Sequence, residues 1–96
     1  MNAQERQQIK AFSTRYDALC SSLPLLHTWR GIDLSDGTMC WDKSKIASAL
    51  THIRRDINYL RAHPTSANKQ EILEGLEHLL TNAEEATKQL IQEATQ

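Results

Sequence analysis

The side chains with the widest chemical repertoire in this sequence are histidines and cysteines, and they are scattered along the chain. They are His27, His52, His63, His78, Cys20 and Cys40. Zinc sites draw ligands from closely spaced pairs such as Cys-x-x-Cys or His-x-x-x-His, and neither pairing occurs. A two-metal site in a helical bundle needs Glu-x-x-His motifs on facing helices, whereas Glu74 and His78 form one Glu-x-x-x-His without a counterpart. We therefore predict no metal and no other cofactor.

The remaining candidates for chemistry are a calcium loop and a cysteine nucleophile. The stretch Asp33-x-Ser35-Asp36-Gly37 contains calcium-loop residues, but its glycine comes one position early and no glutamate follows at the twelfth position. Neither cysteine has a sequence neighbour that would activate it, although His27 or His52 could approach one in the folded chain. No glycine-rich phosphate loop occurs. The sequence therefore predicts a protein without enzymatic activity.

Length and composition predict one small helical domain spanning residues 1–96. The chain has 96 residues, of which 40% are hydrophobic and 24% charged, with three glycines, two prolines and no valine. Good helix formers dominate, whereas a β-rich fold would require β-branched residues and many turn signals. The net charge of −1 gives no bulk attraction to nucleic acid or membranes. No apolar run is long enough to span a membrane, and the polar start is unlike a secretory signal.

The two cysteines are too few for a disulfide scaffold. We expect both thiols to be free and reduced, each packed as a small buried hydrophobe. Taken with the polar start of the chain, this predicts a soluble protein of the cytoplasm.

Helix 1 is predicted from a capping box, in which Asn2 is the N-cap and Glu5 reaches back to it. Pro24 ends this helix near Ser22. Helix 2 is predicted to begin at Asp42, with Trp41 packing onto Ile46, and to end near Ala62 before Pro64. Apolar residues recur every three or four positions on one face of each helix. These stripes are Ile9, Phe12, Tyr16, Leu19 and Leu23 in helix 1, and Ile46, Leu50, Ile53, Ile57 and Leu60 in helix 2.

Helix 3 is predicted to begin within residues 65–68, with Asn68 and Glu71 as a second capping box. It carries two adjacent apolar seams, so it can contact two neighbouring helices. One seam is Ile72, Leu76, Leu79, Ala83, Ala86 and Leu90, and the other is Leu73, Leu76, Leu80, Ala83, Thr87, Leu90 and Ala94. The fold class is therefore all-α, a three-helix bundle. We expect Gly75 to allow close helix approach, and residues 83–87 to leave apolar surface for a partner or second copy.

Residues 24–41 form a connection far longer than the few residues that a bundle requires. The segment is apolar and contains both tryptophans. It is predicted to contain a short helix over Leu25–Arg30 and a small hairpin with Asp36-Gly37 as its turn. In this hairpin Ile32 lies opposite Trp41 and Leu34 opposite Met39.

Two interpretations of this connection remain open. It is either a lid that completes the core at one end of the bundle, or a surface that binds a partner. Tryptophan and arginine are enriched among the residues that dominate binding energy at interfaces. The predicted partner-binding residues are Trp29, Arg30, Asp33 and Trp41. The predicted function is a small interaction module that docks a larger protein, as an adaptor, chaperone, antitoxin or phage-type inhibitor, and that can form a homodimer.

The alternative function is nucleic-acid binding by helix 2. Residues 43–63 hold five basic side chains against one acidic, whereas residues 64–96 hold two basic against six acidic. The candidate phosphate-binding residues are Lys43, Lys45, Arg54, Arg55 and Arg61. A helix-turn-helix would need a preceding helix joined by a 3–4-residue turn, which the long connection does not provide. The opposing interpretation is that basic helix 2 lies antiparallel to acidic helix 3 and complements its charge, and we expect no duplex binding at physiological salt.

Overall fold

The structure is a computed structural model, and it describes residues 2–26, 31–34 and 40–94. Three helices pack against one another, which confirms the predicted all-α bundle. They are α1 (Ala3–Ser22), α2 (Lys43–Ala62) and α3 (Lys69–Ala94). Between α1 and α2 lie a 3-10 turn (Leu23–Leu25) and two short strands, β1 (Gly31–Ile32) and β2 (Trp41–Asp42). No helix in the described ranges is both long enough and apolar enough to cross a membrane.

Side-chain contacts give the direction of each helix. Glu5 reaches Lys69 near the starts of α1 and α3, and Arg15 reaches Glu84 further along both helices. These two helices are therefore parallel. The end of α2 lies beside the start of α1, so α2 runs antiparallel to both. The described helices thus form an up-down-up bundle, the arrangement that short connections favour.

The predicted caps of α1 and α2 are confirmed. The Glu5 N–H donates to Asn2 Oδ1 at 2.8 Å, and the Asn2 N–H donates to Glu5 Oε1 at 3.1 Å. At the start of α2, Asp42 Oδ1 accepts from the Lys45 N–H at 2.8 Å. Both helices end at the predicted residues, Ser22 and Ala62. These caps satisfy N–H groups that would otherwise lack partners.

The predicted capping box of α3 is wrong. The helix begins at Lys69, directly after Asn68, but no hydrogen bond between the side chains and backbones of Asn68 and Glu71 is present in the described chain. Asn68 Oδ1 instead accepts from the Ser66 hydroxyl. The Ser66 and Asn68 side chains therefore hydrogen-bond to each other, and the first turn of α3 has no capping box.

The core confirms most of the predicted central residues and corrects one of them. The confirmed residues are almost fully buried, and they are Phe12, Leu19, Ile53, Ile57 and Leu76. Leu79 is only half-buried and packs at the edge of the core. The reason is that the second seam of α3 faces the centre of the bundle, with Leu73 and Leu80 buried in place of Ile72 and Leu79. Because the two seams adjoin, periodicity alone did not choose between them.

Two predictions about small residues of α3 are wrong. Gly75 is exposed, and a Cβ atom added there would meet nothing within 4 Å. It therefore does not mediate close helix approach. Ala83, Ala86 and Thr87 are buried, so this part of α3 leaves no apolar surface for a second copy. The small side chains lie inside the bundle, where the helix approaches its neighbours.

Arg15 joins α1 to α3 through two carboxylates that lie about two helical turns apart on α3. Its Nη2 lies 2.6 Å from Glu84 Oε1 and its Nε lies 3.1 Å from Glu84 Oε2, while Nη1 donates to Glu77. The paired contact with Glu84 is the geometry in which guanidinium and carboxylate groups interact most strongly. Hydrogen bonds to Glu84 and then to Glu77 raise the pKa of Arg15, against the opposing effect of burial.

We expect Arg15 and Glu84 to show a measurable coupling energy. The two side chains are partly exposed, so solvent screening limits this coupling to about 0.5–1 kcal/mol at low salt. A double-mutant cycle with Arg15→Gln and Glu84→Gln, measured by urea unfolding, determines it. The coupling should shrink at about 1 M salt, where screening acts over a few ångströms. Glu74→Gln, an exposed change on the same helix, is the control, and a coupling near zero at low salt contradicts the expectation.

The connection between α1 and α2 is a lid over the core in its described parts. Leu26, Leu34 and Trp41 are buried within the same core cluster as the helices. The strands pair antiparallel with Ile32 opposite Trp41, which confirms the predicted register. A Cβ atom at Gly31 would collide with the sulfur of Cys40, so a larger residue there would require the Cys40 side chain to move.

The helix predicted over Leu25–Arg30 is wrong at its start. The 3-10 turn comes earlier, at Leu23–Leu25, and Leu26 is extended with φ −90° and ψ 144°. Pro24 in the first positions of this turn fits the turn's geometry and shifts it towards α1. Residues 27–30, the Asp36-Gly37 turn and the partner Met39 of Leu34 lie outside the described residues.

Candidate functional site

The structure describes two of the four predicted partner-binding residues. Trp29 and Arg30 lie outside the described residues. Asp33 is exposed, directly after β1. Trp41 is only 3% exposed, so the bulk of its side chain stabilises the lid rather than offering contact area. The partner-binding role of this set stays a prediction.

Trp41 nevertheless lines a groove between α2 and α3, which we call the α2/α3 groove. Its volume is about 420 Å³, and its lining residues are Trp41, Lys45, Ser48, Ala49, His52 and Leu79. Lys45 Nζ lies 5.2 Å from the centroid of the Trp41 ring, within the range of a cation–π interaction. The half-buried Leu79 forms part of the opposite wall. The groove therefore combines an apolar floor with cationic and imidazole groups at its edge, as ligand and partner pockets often do.

The polar groups of the α2/α3 groove differ in how well they are satisfied. His52 Nε2 lies 3.1 Å from Asp56 Oδ2, one turn along α2. Trp41 Nε1 is buried and has no hydrogen-bond partner among the described residues. A buried N–H without an acceptor costs free energy, so this atom is the least satisfied polar group beside the groove.

The candidate nucleic-acid-binding residues point in three directions from α2. Arg61 faces α1, and Lys43 and Arg54 occupy the same flank by their helical spacing. Lys45 lies on the opposite flank beside Trp41, and Arg55 is exposed on the side away from the bundle. One phosphate backbone therefore cannot contact all five side chains along a single face. The structure does not bring this set together as one site.

A second groove brings Arg61 together with two cations that the sequence did not indicate as functional. It lies between α1 and α2, and we call it the α1/α2 groove. Its volume is about 430 Å³, and its lining residues are Arg6, Ile9, Lys10, Leu60, Arg61 and Pro64. Antiparallel packing of α1 and α2 places the start of one helix beside the end of the other. The only sequence signal was that Arg6 and Lys10 are one turn apart beside the apolar stripe.

The cations on the two sides of α1 differ in whether they pair with carboxylates. Towards α3, Arg15 and Lys69 meet carboxylates, with Lys69 Nζ 3.1 Å from Glu5 Oε1. A hydrogen bond from the Asn2 backbone lowers the pKa of Glu5, and Lys69 lowers it further. Towards α2, no ion pair joins Arg6 or Lys10 to a carboxylate of the described chain.

We predicted that the charges of α2 and α3 complement each other, but the described inter-helix ion pairs do not join these two helices. These pairs join α3 to α1, through Arg15 with Glu77 and Glu84 and through Lys69 with Glu5. In the described ranges, Arg61 has no such pair with α3, because its side chain faces α1.

On α1, Tyr16 lies near the thiol of Cys20 and the guanidinium of Arg54. Interaction with the Cys20 side chain and burial raise the pKa of Tyr16, whereas the charge of Arg54 opposes that rise.

Cys20 and Cys40 are both free and exposed, so their prediction as buried hydrophobes is wrong. Within the described ranges, no three His, Cys, Asp or Glu side chains group as a metal site requires.

The comparisons with known proteins assign no relative to this geometry. No protein-family model matches the sequence, and neither a curated protein nor a solved structure matches it. The two grooves are therefore interpreted from their own residues.

Proposed function

We propose that this chain is a non-enzymatic interaction module that docks a larger protein through the α2/α3 groove and the adjoining connection. The observation that carries the proposal is the open groove of about 420 Å³ walled by Trp41 and Leu79. Apolar walls with a few polar groups at the edge are typical of surfaces that accept a partner's side chain. Adaptors, chaperones, antitoxins and phage-type inhibitors all act by such docking.

Features besides the groove support the proposal. Leu25, in the 3-10 turn of the connection, is 64% exposed and offers apolar surface for contact. Asp33 and Lys45 are exposed and supply opposite charges near the strands. The predicted anchor Trp29 belongs to the same connection. A partner that covers this end would gain apolar contact from Leu25 and orientation from the charges.

Filling the α2/α3 groove tests the proposal directly. Ser48 lines the groove and is exposed, so Ser48→Arg should obstruct it without disturbing the core. The tagged full chain is used to capture its partner from the native host, and the dissociation constant is then measured with the purified partner. We expect Ser48→Arg to weaken binding more than about tenfold, the loss typical of an interface anchor. Trp29→Ala should have a similar effect with an almost unchanged melting temperature.

The matched control for this experiment is Asn58→Arg, the same added charge at an exposed position of α2 outside the groove. It should leave the dissociation constant within about twofold of the wild type. If Ser48→Arg and Trp29→Ala both bind as the wild type does, the docking surface lies elsewhere. An equal loss in the Asn58→Arg control would show that added charge alone weakens the complex.

A further inference from the structure

We propose that the α1/α2 groove binds an acidic, partly apolar segment of a partner protein. This site is independent of the α2/α3 groove, because the two grooves lie on opposite flanks of α2. The inference rests on three cations around one apolar cleft, which are Arg6, Lys10 and Arg61. No acidic side chain lines this cleft.

The free charge of these cations is the first argument. Elsewhere the fold neutralises the cations that lie between helices, since Arg15 meets Glu77 and Glu84 and Lys69 meets Glu5. In the α1/α2 groove, three like charges converge with no carboxylate of the described residues in ion-pair contact. An anionic ligand would bring opposite charge to these side chains, and a ligand that binds only the folded chain should stabilise the fold.

The floor of the groove is the second argument, and it indicates the class of ligand. Ile9 and Leu60 lie beneath the groove and are almost fully buried in the core, while the exposed Pro64 supplies apolar surface in the lining. The aliphatic stems of the flanking arginine and lysine side chains extend this apolar surface. A volume of about 430 Å³ accommodates one or two apolar side chains of a ligand. Glutamate or aspartate neighbours of those side chains would then reach the cations on both rims.

A protein segment fits these features better than nucleic acid does. A phosphate backbone needs a row of cations and does not require an apolar floor between them. Here Arg6 and Lys10 face Arg61 across apolar residues, and Asp17 lies on the same flank of α1 as Lys10 by its helical spacing. A carboxylate on this flank would repel an extended phosphate chain. An acidic amphipathic helix, by contrast, needs only one or two turns of contact.

The probe for the test is a fluorescent peptide of about 14 residues, which spans roughly 20 Å as a helix, with leucine on one face and glutamate on the flanks. Its binding to the full chain is followed by fluorescence anisotropy at low salt. We expect saturable binding with a dissociation constant of about 100 µM or tighter, and at least about tenfold weaker binding when glutamine replaces glutamate. The melting temperature of the chain should rise with peptide concentration.

Charge variants locate the site. The double variant Lys10→Gln/Arg61→Gln should weaken binding of the glutamate peptide about tenfold or more. Arg55→Gln is the matched control, because Arg55 is an exposed cation of α2 outside the groove, and it should change binding less than about twofold. The reversed variant Lys10→Glu/Arg61→Glu should bind a peptide in which lysine replaces glutamate. That gain cannot arise from misfolding.

Every other result overturns the proposal. No saturable binding of the glutamate peptide up to about 1 mM would show that the groove has too little affinity to act as a site. An equal effect of Arg55→Gln would show that only net charge matters. Tighter binding of a duplex DNA or RNA than of the peptide at physiological salt would assign the groove to nucleic acid. None of these results depends on Ser48→Arg, so this proposal and the docking proposal can fail separately.

Discussion

Trp41→Ala is expected to lower the free energy of unfolding by about 3–5 kcal/mol, as measured by urea unfolding followed by far-ultraviolet circular dichroism. The indole is 3% exposed and belongs to the same core cluster as Leu26 and Leu34. Its removal would open a cavity at the point where the lid meets α2. Because β2 leads directly into α2 at Asp42, the loss should also loosen the start of that helix.

Trp41→Phe separates the packing of the indole from its hydrogen-bonding capacity. Nε1 has no partner among the described residues, so the phenyl ring loses volume but no hydrogen bond. It also removes a buried N–H whose desolvation is not compensated. We expect the phenylalanine variant to lose less than half as much stability as the alanine variant. Equal losses would mean that Nε1 is hydrogen-bonded in solution, and an alanine loss below about 1 kcal/mol would mean that the lid is not part of the core.

Ile57→Ala is expected to lower the free energy of unfolding by about 2–5 kcal/mol in the same assay. Ile57 is 3% exposed in the second half of α2, a helix that packs against both α1 and α3. Its truncation would open a cavity in the core of the bundle. The slope of the unfolding transition with urea should stay unchanged, because the native fold is retained.

The control for Ile57→Ala is Asn58→Ala, an exposed neighbour one position along the same helix. It removes a side chain without opening a cavity, so its effect should stay within about 0.5 kcal/mol. A loss below about 1 kcal/mol for Ile57→Ala would contradict the packing of α2. So would an equal loss in the control, because the loss at Ile57 would then not come from its burial.

Local patterns predicted the helices well because their causes are local. The cap at Asn2 depends on a residue three positions away, and the breaks at Pro24 and Pro64 depend on the proline ring itself. The register of Ile32 with Trp41 was also predictable, since strand pairing across a short turn follows from counting residues. Each of these features needs no knowledge of how the helices pack.

Several of the predictions that failed depended on which neighbour a side chain meets. Leu79 and Leu80 share almost the same apolar periodicity, and only the position of α3 against α1 and α2 makes Leu80 the buried one. Gly75 was predicted to allow close helix approach, but a Cβ atom added there would meet no neighbour. Free cysteines are usually buried, so we predicted burial of Cys20 and Cys40, yet both are exposed.

The sequence by itself determined three amphipathic helices, the caps of the first two and an apolar connection, because hydrogen bonding and periodicity act over a few residues. Only the tertiary structure decided how their charges are used. Parallel packing of α1 and α3 gives Arg15 its carboxylates, whereas antiparallel packing of α1 and α2 gathers Arg6, Lys10 and Arg61 without any. These residues are far apart in sequence. The interaction between charges on separate helices depends on their separation, and only the packing of the helices sets that separation.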